Sequence, residues 1–376
     1  MIVAKAVVAI AIGAAAFAPI GLSAEPALPK AAVVRVDFDS SKILASRADG
    51  EAGVIGRVVS ANDPVRVASI SKLVTAIAVM RLVDQGRVDL DRDISEYLGF
   101  QIRNPAFPDQ NITLRQLITH TSGVRDKIDY LIPLDGRIEA VMANPAAWDS
   151  RYRPGSYFSY ANLNSPIIAA TIEAATGERF DKLVAKNVLA PLKIDACFNW
   201  GEGCSPDRRA QAVTLLRTNG DLARDPAIKG QDPCPVLAAA DGSCDLRRYP
   251  LGKNGSSFSP QGGLRISADD LAKVGQLLLN GGRPLLSSKA FAEMSRVQWR
   301  FNGINGDDDQ GYFKAYGLGV HIHEDSAGAL WIGHVGEAYA LRAGLWVNPA
   351  TRKGFAQYVT MVPAETPIGH CLDACP

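Results

Sequence analysis

Ser69 stands one helical turn before Lys72 in Val67-Ala68-Ser69-Ile70-Ser71-Lys72, the chain's one Ser-x-x-Lys. On a helix, positions i and i+3 share a face, so the two side chains can hydrogen-bond. A serine hydroxyl is a weak nucleophile until a neighbour takes its proton, and a lysine amine held neutral can do that. Lys72 sits among Ile70, Leu73 and Val74, an apolar setting that withdraws it from water and lowers its pKa. Ser69 would open its helix, where free backbone N–H groups and the positive helix end favour a developing alkoxide. Composition alone gives a Ser-x-x-Lys about once in a chain of this size, so the pair gains weight only in company.

The company is two further triplets. Tyr160-Ala161-Asn162 closes the run Pro154-Gly155-Ser156-Tyr157-Phe158-Ser159-Tyr160-Ala161-Asn162, and His334-Val335-Gly336 lies within Trp331-Ile332-Gly333-His334-Val335-Gly336-Glu337. Ser-x-x-Lys, Tyr-x-Asn and Lys- or His-x-Gly, in that order, resemble the signature of the penicillin-recognising serine hydrolases. The Tyr-x-Asn form is similar to the class C β-lactamase, DD-peptidase and β-lactamase-like esterase branch. The run Ile112-Thr113-Leu114-Arg115-Gln116-Leu117-Ile118-Thr119-His120-Thr121-Ser122-Gly123 resembles that family's Leu-Leu-x-His-Thr-Ser-Gly block, and Gly262-Gly263-Leu264-Arg265-Ile266-Ser267-Ala268-Asp269-Asp270-Leu271 its Gly-Gly-Leu block before a helix. Tyr316-Gly317-Leu318-Gly319-Val320 and Leu345-Trp346-Val347-Asn348-Pro349 are similar to family strands. The similarity runs over residues 55–362.

The resemblance implies roles. Ser69 would be the nucleophile, with Lys72 and Tyr160 handling its proton; which of the two is the base stays open, a shared proton being equally consistent. A phenol titrates near 10, so Tyr160 would need a nearby cation such as Lys72 to act as a base at neutral pH. Asn162 would orient Lys72 and meet a substrate amide. His334, on a strand expected to line the cleft, replaces the family's lysine in binding or orienting the substrate, and Gly336 leaves room for a substrate backbone. The N–H groups of Ser69 and Glu337 would form the oxyanion hole. Tyr157 reads as a packing residue, Asp307-Asp308-Asp309 as a solvated loop without the full calcium pattern, and the alternating His321 and His323 as no metal site. No cofactor is called for.

The elements that must position these residues follow. Valine-rich runs at 32–38 and 52–59 read as early strands, and residues 69–85 as a helix stopped by Gly86. Helical patches are expected at 113–119, 164–176, 178–189, 267–280 and 287–298, and strands at 316–323, 329–334, 340–347 and 354–362. Strands at both ends imply that the two ends share one sheet. The expected fold is α+β, β-lactamase/transpeptidase-like: an antiparallel sheet flanked by helices (parts 30–88 and 262–365) with an inserted, mainly helical part (89–261). The site would lie in the cleft between them.

Residues 1–24 read as a secretory signal, with Lys5, an apolar stretch and Leu22-Ser23-Ala24 before the cut. The hydrolase domain would occupy 25–365, followed by a tail at 366–376. The whole sequence has 40 basic and 39 acidic residues; the signal takes Lys5 and no acid, leaving 39 of each. With no basic block, electrostatics give no reason for a nucleic-acid partner, and no stable membrane span is expected after cleavage. Six cysteines lie in three local pairs: Cys197 with Cys204, Cys234 with Cys244, and Cys371 with Cys375. For an exported chain three disulfides follow; pairing within each local pair is chosen because each lies in a Gly/Pro/Asp-rich loop.

The functional expectation is a periplasmic or secreted serine hydrolase acting through a Ser69 acyl-enzyme on amide or ester carbonyls, with D-Ala-D-Ala-type peptides and small esters as candidate substrates. The alternatives are a β-lactamase and a non-catalytic binder of peptidoglycan or β-lactams. Glu337 departs from the family pattern, where a small or hydroxyl residue follows the glycine. Its carboxylate would repel anionic substrates unless it pairs with a cation; Arg342 is the candidate, in a register the sequence does not give. This favours neutral short-chain esters over β-lactams.

Overall fold

The computed structural model describes residues 27–201, 204–222, 234–366 and 369. The expected signal at 1–24 lies outside them. So do Cys371 and Cys375, the expected partners of a C-terminal disulfide. Among the described residues the strands are β1 (Val33–Asp39), β2 (Ile43–Asp49), β3 (Val65–Arg66), β4 (Cys197–Phe198), β5 (Leu264–Ile266), β6 (Trp299–Arg300), β7 (Ala315–Tyr316), β8 (His321–Glu324), β9 (Leu330–Ala338), β10 (Leu341–Asn348) and β11 (Lys353–Val359). The helices are α1 (Ile70–Asp84), α2 (Ile94–Leu98), α3 (Leu114–Ile118), α4 (Ile138–Met142), α5 (Asn164–Thr176), α6 (Phe180–Val184), α7 (Pro206–Ala210), α8 (Ala268–Leu279) and α9 (Ser288–Ser295).

Eight strands form one antiparallel sheet in the order β2-β1-β11-β10-β9-β8-β7-β6. β1 pairs with β11, Val33 opposite Val359, so the early and late strands share the sheet. β3, β5 and β4 make a second, small sheet. Along β1, Val34, Val36 and Phe38 are buried while their neighbours are half-exposed, the period of two expected of a strand with one covered face. α8 covers that face against β1, β10 and β11. The mixed α+β, β-lactamase/transpeptidase-like fold is therefore the one expected.

α1 is the pivot. Twelve of its fifteen residues are buried, so it has no polar face and packs on the sheet, α9 and α6 together. A helix covered all round is one a fold can use to hold a lysine away from water. Among the described residues, no helix is long and apolar enough to cross a membrane.

Two strand expectations are corrected. Residues 52–59 form turns rather than a strand: Gly53 and Gly56 have φ of +74° and +78°, and among the described residues their ladder contact is the isolated bridge Glu51 to Val58. The strand preceding them is β2. It is an edge strand exposed along most of its length, so no hydrophobic alternation marks it. The expected strand 316–323 is split into β7 and β8 by the turn at Gly317–Gly319, while β9 runs on to Ala338, past the expected end at 334.

Candidate active site

Ser69 is the N-cap of α1, and Lys72 lies in its first turn. Lys72 is 5% exposed, and its Nζ has three partners: Ser69 Oγ at 2.9 Å, Asn162 Oδ1 at 2.8 Å and the Gln261 carbonyl at 3.0 Å. Burial pushes its pKa down to about 7, against the opposing pull of the Asp126 carboxylate. A neutral amine has two N–H donors and one lone pair. Asn162 Oδ1 and Gln261 O can only accept, so they take the two N–H bonds. The lone pair then faces Ser69, the one partner with a proton to give.

Tyr160 follows the opposite logic. Its ring lies between His120, at 4.3 Å, and Phe313, at 5.2 Å between centroids. Lys72 Nζ is 4.8 Å from the ring centroid. Burial pushes the phenol's pKa up, and Asp126 and Tyr130 add to that; a hydrogen bond with Ser69 works against it. Desolvation therefore outweighs any help from the neighbouring lysine, and the phenol keeps its proton at neutral pH.

The loop after α3 holds the Tyr160–Leu163 segment from below. Ser159 N–H donates to the His120 carbonyl at 2.8 Å, and Ala161 N–H to His120 Nδ1 at 3.2 Å. Asp126 accepts from Asn162 N–H at 2.7 Å, Asn162 Nδ2 at 3.0 Å and Leu163 N–H at 2.9 Å. His120 sits at φ +55°, in the left-handed region, and is buried; burial and the charge of Lys72 hold its pKa well below the imidazole range.

On the opposite wall, β9 brings in His334, Gly336 and Glu337. His334 is fully buried. Its Nδ1 lies 2.7 Å from the Val335 carbonyl, an acceptor, so Nδ1 carries the proton and Nε2 accepts from Tyr316 Oη at 3.1 Å. Burial, then the nearby Lys72, push it down to about 3. His334 is thus a neutral ring under the cleft floor, where the resembling family has a cationic lysine. At Gly336 a Cβ would come 2.1 Å from the Val67 carbonyl. The missing side chain lets β9 lie against the turn that delivers Ser69. Arg342 and Glu337 are paired across β9 and β10 and joined by a 2.6 Å ion pair.

These walls enclose a cleft of about 960 Å³ that Ser69, Tyr160, Asn162, Gly336 and Glu337 line. It also takes in Arg66, Tyr130, Arg217 and Tyr339. The structure thus brings Ser69, Lys72, Tyr160 and Asn162 into mutual reach and places Gly336 and Glu337 beside them, with His334 behind. Sequence reasoning missed Asp126 and the Gln261 carbonyl. Asp126 is one acid in a polar loop and carries no motif; His120 belonged to a recognised block, but nothing gave its ring a task. Asp307 differs from expectation: it accepts from Arg125 at 2.6 Å, Tyr157 Oη at 2.7 Å and Ser159 Oγ at 2.8 Å, so it fastens the loop rather than only meeting solvent. Tyr157 stacks on Tyr152 at 3.9 Å, a packing role.

Two of the three expected disulfides are in place, Cys197 to Cys204 and Cys234 to Cys244, each within its local pair. The third expected bridge, between Cys371 and Cys375, lies outside the described residues.

An antiparallel sheet flanked by helices, with a serine and a desolvated lysine at the head of the central helix, defines the class of serine acyl-transfer folds. The chain belongs to the beta-lactamase family, whose model matches residues 33–367, and whose members are serine hydrolases. Curated relatives include Protein flp of Staphylococcus aureus (strain N315), 27% identical over 131 residues, which are 34% of this chain and 26% of that protein. The match thus spans about a quarter of that relative's length. D-alanyl-D-alanine-carboxypeptidase/endopeptidase AmpH of Escherichia coli (strain K12) is 24% identical over 317 residues, 80% of this chain and 68% of the relative. Among solved structures, EstCE1, a hydrolase with promiscuous acyltransferase activity, superposes with a TM-score of 0.64 at 20% identity, covering 89% of each chain. That likeness speaks for the fold alone.

Proposed function

We propose that the protein is an exported serine hydrolase that forms an acyl-enzyme on Ser69 and acts on amide or ester carbonyls, either D-Ala-D-Ala-type peptides or small esters. The observation that carries this reading is the set of partners around Lys72 Nζ: two obligate acceptors and the Ser69 hydroxyl. In the first step Lys72 takes the Ser69 proton while Oγ bonds to the substrate carbonyl carbon. The oxyanion is received by the N–H groups of Ser69 and Glu337. On collapse the bond to the leaving group breaks. Tyr160 gives that group its phenol proton, and the Lys72 ammonium returns one to Tyr160. Water then enters by the same steps in reverse and frees Ser69 and the acid. The depressed Lys72 and elevated Tyr160 pKa values support this division between base and acid.

Two disulfides in the described residues support export, since such bonds persist in oxidising compartments. The Glu337 carboxylate lines the cleft, and the part of its charge that the Arg342 ion pair leaves uncancelled supports neutral short-chain esters being at least as good as carboxylate-bearing substrates. AmpH, by its name a carboxypeptidase and endopeptidase, supports peptides as one candidate substrate class. The deciding experiment is intact-mass analysis after exposure to a fluorophosphonate and, separately, to penicillin. The reading expects one fluorophosphonate adduct on Ser69 and slow or no penicillin turnover. Efficient penicillin hydrolysis would make the protein a β-lactamase, and the absence of any adduct would make it a non-catalytic binder.

A further inference from the structure

We infer that Asp126 is a positioning residue that aims the Lys72 lone pair at Ser69 by fixing which way the Asn162 amide faces. The inference rests on the acyl-enzyme reading above. The Asn162 side chain touches two groups of opposite demand. On one side is Lys72 Nζ at 2.8 Å from Oδ1; on the other is Asp126 Oδ2 at 3.0 Å from Nδ2. A carboxylate can only accept, so the amide nitrogen must face it and the amide oxygen must face the lysine. The same carboxylate accepts from the backbone N–H groups of Asn162 and Leu163, at 2.7 and 2.9 Å, so the segment and the side chain are held by one residue.

The consequence lies in counting hydrogens on Nζ. With Asn162 Oδ1 facing it, a neutral Lys72 spends its two N–H groups on Asn162 and Gln261 and keeps its lone pair for the Ser69 proton. Were the amide turned over, an NH2 group would face Nζ and take the lone pair itself. Ser69 would then have a donor beside it instead of an acceptor. Asp126 is exposed and does not line the cleft, so this effect reaches Ser69 only through Asn162 and Lys72.

Asp126 also acts on Lys72 through space. The other titratable groups about Nζ are Tyr160, His120 and His334, and burial disfavours the charged form of each. The Asp126 carboxylate raises the Lys72 pKa against desolvation. Removing it takes away that anion and releases the amide; both changes lower the affinity of Lys72 for a proton.

The test uses the whole protein with Asp126→Asn and Asp126→Ala, and Asp126→Glu as the conservative variant. Two quantities are read: the Lys72 titration midpoint from NMR of 13C-labelled lysine, assigned with Lys72→Ala, and the rate of Ser69 labelling by a fluorophosphonate across pH. Asp126→Asn and Asp126→Ala should move the midpoint to lower pH and slow plateau labelling by roughly tenfold to a hundredfold, the worth of a charge-assisted hydrogen bond. Asp126→Glu should recover part of both. In an Asn162→Ala background, Asp126→Asn should cost little more at the plateau, because its route is already cut. An unchanged midpoint in either carboxylate-free variant overturns the inference, whether or not the protein proves to be a hydrolase. The through-space pull moves the midpoint by itself, so a plateau cost of Asp126→Asn that is undiminished in the Asn162→Ala background overturns the inference as well; a wild type that takes no label, with the midpoint moving as stated, would sink the acyl-enzyme reading and leave the hold of Asp126 on Lys72 standing.

Discussion

Glu337 and Arg342 face each other directly across β9 and β10, with carboxylate and guanidinium 2.6 Å apart. The Arg342 side chain is 5% exposed and that of Glu337 37%, so the cation is sunk in the wall and the anion reaches toward the cleft. Arg342 also donates to the Thr366 carbonyl at 3.0 Å. The repulsion of anionic substrates that Glu337 would exert alone is therefore partly cancelled. Removing either partner should expose the charge of the other. Glu337→Gly should raise kcat/KM for carboxylate-bearing substrates relative to neutral esters, and Arg342→Ala should lower it, each by roughly tenfold or more. An unpaired contact of like charge at 4 Å and an effective dielectric of 20 would cost about 4 kcal/mol, and exposure of Glu337 reduces that. Equal changes for charged and neutral substrates in both variants would show that the pair does not set specificity.

The reacting groups form one unit, and their losses should not add. Ser69→Ala is expected to abolish both labelling and turnover. Lys72→Ala and Tyr160→Phe should each remove most of the turnover, and the double variant should be little worse than the poorer single one. The check is kcat for the three variants and one double. Labelling of Ser69→Ala at the wild-type rate would place the nucleophile elsewhere.

The pH profile should carry the signature of a desolvated lysine. Lys72 must be neutral to take the Ser69 proton, and its pKa is pushed from 10.5 down to about 7. Activity should therefore rise with pH through about 7 and level off. Tyr160, pushed upward, stays protonated across that plateau and imposes no fall there. An acid limb centred near 10 in kcat/KM would mean an ordinary lysine and refute the assignment. Stability follows with a definite sign: between about 7 and 10.5 the unfolded chain holds a proton that the native site has lost. The contribution of this group to stability therefore grows as pH rises through that window.

Thiol chemistry offers a check on export that is independent of activity. The exported protein should contain three disulfides, the third joining Cys371 and Cys375, and titration of the denatured, unreduced protein should find no free thiol. Several reactive cysteines would contradict the oxidising compartment that the bonds Cys197–Cys204 and Cys234–Cys244 suggest. Reactivity confined to Cys371 and Cys375 would leave the two central bonds standing and remove the third.

What was legible in the sequence was what repeats or recurs locally. α5 runs over 164–176 as expected, and α8 and β10 lie within a residue of their expected limits, because buried faces leave periodic traces. β2 left none, being exposed along most of its length. Two of the three triplets lie at the head of α1 and on β9, where spacing fixes which side chains share a face; Tyr160-Ala161-Asn162 lies in a loop and was legible only through the family resemblance. Asp126 and Gln261 could not be read in this way. One acts through a loop carboxylate whose partners are 36 and 37 residues distant, the other through a backbone carbonyl that any residue type would supply. The Arg342 pairing depended on hairpin register, which the residues Tyr339 and Ala340, both at positive φ in the turn, do not advertise.

A buried carboxyl, Glu173 on α5, ties down the chain that leads to Gln261. It accepts from Phe180 N–H at 2.8 Å, Gly252 N–H at 3.0 Å and Tyr249 Oη at 2.9 Å, with no exposed surface of its own. Burial pushes its pKa up to about 7, and the backbone donors hold it from rising further. Glu173→Ala leaves those buried donors without their acceptor and should destabilise the protein by about 3 kcal/mol or more. Glu173→Gln keeps one oxygen and should cost less. Between pH 4.5 and about 7 the native protein binds a proton that the unfolded chain has released, so stability from this group falls as pH rises through that range. Urea unfolding of wild type across that range should show this decline, and Glu173→Gln should flatten it. A decline that persists unchanged in Glu173→Gln would assign the titration to another group.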